Sequence, residues 1–468
     1  MSVRAQTTYS TQTSNFYSVT QDNNQPPYAG EYNTTDSSLG LYANGGNGNV
    51  GNNPQVVNFR PFTTSGSDLT SAAQTLQVGQ SFTVTLKLNG GTITGNSIGF
   101  SFNNGTAHAT VADYSAGSRF EYSFSGGAQN AAIYASGGTA QQSNLPAFAA
   151  FAGGLTYTFT LVSTNEFNFT VSSGASYGGT TYNVGALGGT SGAPIGSFAL
   201  FNRGYNNSDA IYSNISVTNV GTIGLAANSG ETKTVTGMIT DLTTGSNSVQ
   251  KSGVGTVRLT NANTFTGTTT VTAGTLQLDA TGSLGGGQTT HTSAIAVNNG
   301  GTLLFGGTTA VLDRIHNATP LALNGGTLNT AGFSEHGTAN NSAGIGALTL
   351  QATSTIDLAN GASILAFANS ANATWTNGAK LNIYNWSGDL AGAGTDQVFF
   401  GSDATGLTAA QLMNIEFFSD AGTTDLGFGQ ILATGEIVPV PEPATWFAGF
   451  LMLGSGAYSL RRRLRPAA

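Results

Sequence analysis

Cysteine is absent from this 468-residue chain, and charged side chains make up only 8% of it. The first absence excludes disulfide staples, cysteine-ligated zinc and thiol catalysis. The second lies far below the roughly 25% of ordinary soluble proteins and excludes coiled coils and charge-rich disordered tails. The chain has instead 66 glycines without a triplet period, and its polar surface must consist of Thr, Ser, Asn and Gln.

The net charge of −8 is unevenly distributed along the chain. Four of the fourteen basic residues stand at the C-terminal end, and they are Arg461, Arg462, Arg463 and Arg465. Without residues 442–468, which also hold Glu442, 10 basic and 21 acidic residues remain, a net charge of −11. A body of this sign repels phosphates and anionic lipid, so we expect no nucleic-acid partner.

The C-terminal end has three successive parts. Pro441, Glu442 and Pro443 interrupt regular structure, and Trp446–Leu460 follows without a single charge before the arginines begin. As a helix these residues span about 22 Å, short of the roughly 30 Å hydrocarbon core, but the flanking arginines can reach the interface. The pattern predicts a short membrane-inserting helix. The alternative, a buried terminal helix of a soluble domain, does not need four arginines.

These three parts, in this order, resemble the PEP-CTERM sorting signal of exported Gram-negative proteins. The resemblance implies that an exosortase-type membrane protease recognises Pro441, Glu442 and Pro443. It also implies that residues 446–460 insert transiently in the inner membrane and that the arginines hold the cytoplasmic side. The product of such sorting is delivered to the cell surface or to exopolysaccharide matrix.

The N-terminal residues 1–5 end in Val3-Arg4-Ala5, followed by Gln6. This is typical of a secretory cleavage site, although no apolar segment precedes it. We therefore interpret residues 1–5 as the remnant of a secretory signal, left by a late start codon or a trimmed precursor. The alternative is an ordinary N-terminal tail.

Residues 6–218 contain runs in which apolar and polar side chains alternate, such as Ser81–Leu88, Ser118–Phe124, Thr156–Val162 and Glu166–Val171. A period of two, bounded by Gly, Asn and Ser, predicts an antiparallel β-sandwich. Phe82, Val84, Leu86 and Leu88 form the apolar face of the first run. The region resembles concanavalin-like or lectin-like jelly-roll modules in architecture.

Residues 219–436 repeat the triplet Gly-Thr-Leu at 274–276, 301–303 and 326–328. Spacings of 27 and 25 residues predict the coils of a β-solenoid, with about ten coils forming a rod about 50 Å long. Leu407–Ile415 is the one predicted helical turn, and the strands around it cap the end of the solenoid. Trp375 and Trp386 belong to that cap packing; a ligand platform is the alternative.

Lys251–Leu278 resembles the autotransporter-associated β-strand repeat. The positions that carry the resemblance are Gly253, Gly255, Asn263, Thr264, Phe265, Gly267, Gly274 and Leu276. In that family the repeat builds right-handed parallel β-helix passengers on bacterial surfaces. The expected fold is therefore all-β: a jelly-roll sandwich and a right-handed parallel β-solenoid, followed by a sorting signal at residues 437–468 that contains the short membrane-inserting helix.

Motifs that carry chemistry are few. Gly174–Gly178 matches a G-x-S-x-G elbow and Gly46–Gly51 a dinucleotide fingerprint, but neither has the strand and helix that the motif requires. His108, His291, His316 and His336 are scattered, and the spacing of Asp313 and His316 fits a solvated loop pair. Arg258 and Arg314 are candidate lyase residues without partners. We predict no enzyme activity, no cofactor and no metal.

Sugar binding is the remaining chemical hypothesis. Tyrosines and amides in Gly- and Asn-rich loops can stack on a pyranose and bond its hydroxyls, with loop packing as the alternative. The candidate contacts are Tyr177, Tyr182, Tyr205, Asn206 and Asp209. The sequence predicts an exported, non-enzymatic surface or matrix protein with a structural or adhesive role. The alternative is a polysaccharide-binding or polysaccharide-cleaving protein on the same scaffold.

Overall fold

The computed structural model describes residues 6–21, 29–43, 55–89, 97–105, 116–125, 130–134, 140–145, 154–173, 177–203, 207–279, 281–284, 290–308 and 312–440. Two compact units divide the chain: Met1–Ala226 with Lys233–Val249, and Ala227–Thr232 with Gln250–Ala468. The domain boundaries given above, at residues 6–218, 219–436 and 437–468, stay predictions.

Among the described residues, the main part of the first unit consists of antiparallel strands, with a short 3-10 helix at Thr13–Asn15. Its strands are β1 (Gln6–Thr8), β2 (Tyr17–Gln21), β3 (Ala29–Asn33), β4 (Leu39–Ala43), β5 (Gln55–Thr63), β6 (Ala73–Gln74), β7 (Gln80–Asn89), β8 (Ser97–Asn103), β9 (Ser118–Ser125), β10 (Asn130–Tyr134), β11 (Ala140–Leu145), β12 (Leu155–Leu161), β13 (Glu166–Ser173), β14 (Tyr177–Ala186), β15 (Ser197–Arg203) and β16 (Asn207–Asn219).

These strands form two sheets. The first has the order β14-β13-β12-β7-β16-β4-β3, with β1 beside β16, and the second has the order β11-β10-β9-β8-β15-β5-β2, with β6 beside β5. Strand β7 follows the predicted alternation: Phe82, Val84, Leu86 and Leu88 are buried, while Lys87 is exposed. The β-sandwich prediction is therefore confirmed.

Aromatic rings fill the space between the two sheets. The ring of Phe82 on β7 lies edge-on to that of Phe102 on β8, with ring centroids 5.1 Å apart. Tyr212 on β16 crosses the same layer and donates its buried hydroxyl to the carbonyl oxygens of Gly99 (2.7 Å) and Phe201 (2.8 Å). Because stacked sheets lie about 10 Å apart, rings are the side chains large enough to meet in the middle.

The strands that follow are shorter, with three to seven residues each. They are β17 (Thr222–Ala226), β18 (Thr232–Val235), β19 (Ser248–Ser252), β20 (Thr256–Leu259), β21 (Thr269–Val271), β22 (Gly274–Leu278), β23 (Ile295–Asn298), β24 (Gly301–Phe305), β25 (Leu321–Asn324), β26 (Thr327–Asn329), β27 (Leu348–Ala352), β28 (Ser354–Asp357), β29 (Ile364–Phe367), β30 (Leu381–Tyr384), β31 (Gln397–Phe400), β32 (Ile415–Phe418), β33 (Asp425–Ile431) and β34 (Glu436–Val440).

In the second unit, parallel strands stack coil upon coil. One ladder runs β20-β22-β24-β26-β28-β30-β32 and a second runs β21-β23-β25-β27. The pairing places like residues above one another, in one fully buried column: Val257, Leu276, Leu303, Leu328, Ile356, Ile383 and Phe417. This confirms the parallel β-solenoid; its right-handed sense stays a prediction.

The prediction of about ten coils was wrong. The seven strands from β20 to β32 enclose six turns in the described part of the chain, about 29 Å of stacking. A turn takes from 19 residues, between Thr256 and Thr275, to 34 residues, between Leu381 and Ile415. The loops between strands are therefore longer than the prediction of about ten evenly spaced coils requires.

Glycines of the repeat allow neighbouring coils to approach. Gly274 has a φ of +63°, a conformation that L side chains rarely adopt. A Cβ atom there would lie 2.4 Å from the carbonyl oxygen of Gly253 and 2.5 Å from that of Gly255. Both the backbone conformation and the lack of space therefore require glycine at the start of this repeat strand.

The C-terminal end of the solenoid is closed by antiparallel strands. β33 pairs with β32, and β34 pairs with both β33 and β31. The helix α1, Ala409–Leu412, lies within the predicted turn and begins with a capping box between Thr408 and Gln411. This arrangement occupies the hydrogen-bonding edge of the last coil, which would otherwise pair with another chain.

No helix among the residues described here is long and apolar enough to cross a membrane. Residues 441–468 lie outside the described residues. The same holds for the predicted membrane-inserting helix and for the sorting motif, Pro441, Glu442, Pro443, Arg461, Arg462, Arg463 and Arg465. Residues 1–5 also lie outside them.

Candidate functional site

The predicted sugar contacts do not form one cluster among the described residues. Tyr205 and Asn206 lie outside the described residues, and Tyr177 opens strand β14. Tyr182 is on β14 and Asp209 on β16, with β13, β12 and β7 between them. Four strand spacings separate these two strands by about 19 Å, so Tyr182 and Asp209 cannot hold the same sugar ring.

Each of these two side chains has a neighbour within the first unit. The ammonium nitrogen of Lys233 lies 5.2 Å from the ring centroid of Tyr182. Asp209 accepts a hydrogen bond of 2.8 Å from the hydroxyl of Tyr32. Burial, then the hydrogen bond and the charge of Asp209, raise the pKa of Tyr32 to about 12. These contacts agree with the packing alternative for Tyr182 and Asp209.

The outer side of the sheet that contains β7 is covered by hydroxyl groups. One row crosses five strands in register and consists of Thr181, Thr170, Thr158, Thr83 and Ser216. We call the row and its neighbours Ser81, Thr85, Thr156 and Thr160 the hydroxyl face. Its side chains bond across strands, as between Ser81 and Thr160 (2.6 Å) and between Thr85 and Thr156 (3.1 Å).

The hydroxyl face combines donors and acceptors at the strand spacing of about 4.8 Å. Most of its side chains are partly exposed, whereas Ser81 is buried. Such a surface can form neutral hydrogen bonds with water or with polyhydroxyl compounds. The alternation of apolar and polar residues indicated an outward polar face, but not that its side chains align in rows, because register depends on strand pairing.

A threonine column also runs along the solenoid. Its members are stacked in register on partly exposed positions of successive coils: Thr256, Thr275, Thr302, Thr327 and Thr355. Three of them are the central residues of the Gly-Thr-Leu triplets. The repeat therefore places a column of hydroxyl groups along this unit as well.

The prediction that Arg258 and Arg314 have no partners was wrong. Arg258 forms an ion pair with Asp279. Arg314 is buried, donates from Nη2 to the carbonyl oxygen of Gly306 (3.2 Å) and lies 5.0 Å from the ring centroid of Phe333. Both guanidinium groups thus have partners within the protein.

The ring of His316 stacks on that of His291, with ring centroids 3.9 Å apart and planes inclined by 2°. The two histidines are 25 residues apart, which equals one of the triplet spacings and was the available signal for their contact. Among the described residues, no group of three or more side chains of the ligating types could hold a metal ion.

Glu335 has the raised pKa of a general acid, but its carboxyl group is not accessible to a substrate. Its side chain is fully buried, and burial raises its pKa to about 8. Its two carboxyl oxygens accept from the backbone N–H groups of Arg314 (3.2 Å) and Ile315 (3.5 Å). A substrate cannot reach this carboxyl group, so Glu335 fixes the backbone that follows Asp313.

The tryptophans pack within the solenoid, as predicted. Trp386 is buried with its ring edge-on to Phe417, at a centroid distance of 5.5 Å. Trp375 donates from Nε1 to the carbonyl oxygen of Leu348 (3.0 Å). Residues 174–176 and 44–54, which hold most of the two glycine motifs, lie outside the described residues, and the strand β14 follows the first motif where an elbow needs a helix.

Comparison with known proteins identifies one repeat. The passenger-associated-transport-repeat family matches residues 249–278, which include β20, β21 and β22. No curated protein matches the chain.

Three of the similar solved structures share 10–13% identity with the chain. A galectin-like-fold protein of unknown function from Bacillus subtilis is 11% identical over 46% of this chain and 98% of that one, with a TM-score of 0.26. Lectin I from Ulex europaeus, bound to the methyl glycoside of α-L-fucose, is 10% identical over 46% and 97%, with a TM-score of 0.29. The CBM2 module of the evolved Dit of Lactobacillus casei BL23 phage J-1 is 13% identical over 45% and 97%, also at 0.29.

TM-scores this low establish neither a shared fold nor a shared ligand. The sandwich rests on the strand pairing described above, and its concanavalin-like class stays a prediction. The repeat match at 249–278 agrees with the resemblance that the sequence carries over Lys251–Leu278.

Proposed function

We propose that this protein is exported and acts without catalysis, as a structural or adhesive component of the cell surface or of exopolysaccharide matrix. The observation that carries the proposal is the solenoid whose strands β20 to β22 lie in a passenger-associated transport repeat. Passengers of this kind are surface modules. The hydroxyl face and the threonine column give the two units neutral, hydrated surfaces suited to a polysaccharide environment.

The closed end of the solenoid supports a discrete molecule over a fibre. Stacked coils extend indefinitely when their last strand is open, because an unpaired edge pairs with another chain. Here β33 and β34 cover that edge with antiparallel pairing. An adhesive role of individual molecules therefore agrees better with the described fold than polymerisation through this end.

Residues 437–468 supply the sorting step in the proposal. An exosortase-type protease recognises Pro441, Glu442 and Pro443, while residues 446–460 insert in the inner membrane and the arginines remain cytoplasmic. Cleavage then releases the two β units outside that membrane. The sorting step is proposed from the residues that resemble the PEP-CTERM sorting signal.

The test is expression in the native host from an upstream-extended reading frame, followed by fractionation and intact-mass measurement. We expect loss of a leader near Ala5 and of the tail near Pro443, with the protein outside the inner membrane. Glu442→Gln is expected to leave the tail attached, whereas Asp425→Asn, a matched change on exposed strand β33, is expected to be processed normally. A wild-type protein that keeps its tail in the inner membrane contradicts the proposal.

A further inference from the structure

A depression of about 570 Å³ opens on the solenoid between two segments, 312–318 and 336–343. This volume lies within the range of small-molecule sites. The polar residues on its wall are Asp313, Asn317, His336, Thr338 and Ser342. None of them belongs to the hydroxyl face or to the sugar contacts predicted from the sequence.

The polar groups of the depression have unused hydrogen-bonding capacity. In the part of the chain that the structure describes, the side chains of Asp313, Asn317, Thr338 and Ser342 make no hydrogen bond within the protein. His336 contacts the carbonyl oxygen of Gly337 through Nδ1 (2.8 Å). A carbonyl oxygen only accepts, so Nδ1 carries the proton and Nε2 of the neutral ring is an acceptor.

This set of groups selects one class of ligand. The carboxylate of Asp313 and Nε2 of His336 accept, while the amide and the two hydroxyls both accept and donate. Hard cations bind several carboxylates, and Asp313 is the one carboxylate among the described wall residues. No Phe, Tyr or Trp is among those residues, so an aromatic ligand finds no stacking partner. Neighbouring hydroxyls of a neutral sugar match the acceptors.

The backbone holds Asp313 in place. Asp313 has a φ of +64°, in the left-handed region that Asp and Asn tolerate better than most residues. Directly after it, the N–H groups of Arg314 and Ile315 donate to the buried carboxyl group of Glu335. Glu335 is therefore a positioning residue for the Asp313 carboxylate, which lies at the surface.

We propose that this depression is a glycan subsite that takes a neutral hexose unit, with Asp313 and His336 accepting from adjacent sugar hydroxyls. The inference rests on the proposed function and deepens it, because it gives the matrix or surface protein a ligand class and a place of contact on the solenoid. Recognition through exposed hydrogen bonds without ring stacking gives weak binding, with a Kd of about 1 mM per unit.

The experiment is ligand-observed NMR of the full chain with maltose, cellobiose and lactose as separate probes, at neutral pH. We expect saturation transfer from the wild-type protein to at least one disaccharide. Asp313→Asn keeps the left-handed backbone and removes the charge, and His336→Leu removes the ring acceptor without adding an aromatic ring; each is expected to weaken binding at least about tenfold. Asp425→Asn, a carboxylate of similar exposure on β33, is the matched control and is expected to bind as the wild type does.

The subsite is overturned if the wild type binds no probe, or if both Asp313→Asn and His336→Leu bind unchanged. Binding that is lost in Tyr182→Ala and kept in Asp313→Asn assigns the sugar to the sandwich and also overturns it. Correct localisation of a wild-type protein that binds no probe refutes the subsite alone, whereas wild-type binding with failed export refutes the proposed function alone.

Discussion

The sandwich and the solenoid are built from the same polar residues but fill their interiors differently. Between the sheets of the sandwich, Phe82 has four phenylalanine rings with centroids within 6.2 Å: Phe62, Phe100, Phe102 and Phe198. In the solenoid, Leu303 lies between Leu276 and Leu328 of the adjacent coils. Rings bridge two sheets about 10 Å apart, whereas aliphatic side chains fill coils that repeat at about 4.8 Å.

This difference teaches where each unit is vulnerable. A ring in the sandwich contacts several strands of both sheets, so its loss is felt across the unit. A leucine in a coil contacts chiefly the coils above and below, and solenoid stability is close to a sum of such neighbour terms. The units can be monitored separately, because Trp375 and Trp386 are in the solenoid and the described sandwich holds no tryptophan.

The largest effect is expected from Phe82→Ala. The side chain is fully buried among rings, and the change should lower the free energy of unfolding of the sandwich by about 4 kcal/mol. Hydrogen exchange followed by mass spectrometry checks this, with faster exchange expected throughout β7, β8 and β12. Exchange that rises only at β7 would contradict a shared aromatic core.

Leu303→Ala is the counterpart in the solenoid. The cavity should cost about 3 kcal/mol, because coils above and below can relax toward it more easily than two sheets can. Denaturation followed by tryptophan fluorescence measures the change, and hydrogen exchange should rise most in β22, β24 and β26. Leu304→Ala, at a partly exposed position on the same strand, is the matched control. Equal exchange increases in all coils would refute the nearest-neighbour description.

The two units should also differ in their response to pH. Burial raises the pKa of Glu335 in the solenoid to about 8, and that of Glu31 in the sandwich to about 7. A raised pKa means that the folded state keeps a proton that the unfolded state loses. The contribution of each glutamate to the stability of its unit is therefore fully present below about pH 4.5. It is lost as pH rises, up to about 8 for the solenoid and about 7 for the sandwich.

Glu335→Gln and Glu31→Gln test this separately. Glu335→Gln should flatten the pH dependence of the tryptophan-monitored transition between pH 4.5 and 8, a change on the order of 3 kcal/mol at the upper end. Glu31→Gln should leave the tryptophan-monitored transition unchanged. In the sandwich it should reduce the loss of hydrogen-exchange protection as the pH rises. A solenoid whose stability rises with pH in this window would refute the assignment to Glu335.

Periodicity in the sequence was sufficient for the fold class and insufficient for the site. Alternation over Ser81–Leu88 and the triplets at 274, 301 and 326 each depend on neighbours along the chain or one coil away, so a single sequence reveals them. The number of turns depends on loop lengths, which vary from coil to coil. Two side-chain contacts join residues of different coils: the stack of His291 on His316 and the ion pair of Arg258 with Asp279. The depression at Asp313 depends on a left-handed backbone conformation that the sequence pattern does not indicate.

The smallest effects are expected on the two hydroxyl surfaces, and they decide whether those surfaces are structural. Thr158→Val on the hydroxyl face and Thr302→Val on the threonine column keep the β-branched shape and remove one partly exposed hydroxyl. Each should change the free energy of unfolding by less than about 0.5 kcal/mol, because Thr158 loses only a long contact of 3.4 Å to Thr83. Chemical denaturation measures this change. A loss above about 1 kcal/mol would show that the hydroxyl rows stabilise the fold.

With stability unchanged, lower retention of the Thr158→Val protein in native matrix would assign adhesion to the sandwich, and lower retention of Thr302→Val would assign it to the solenoid.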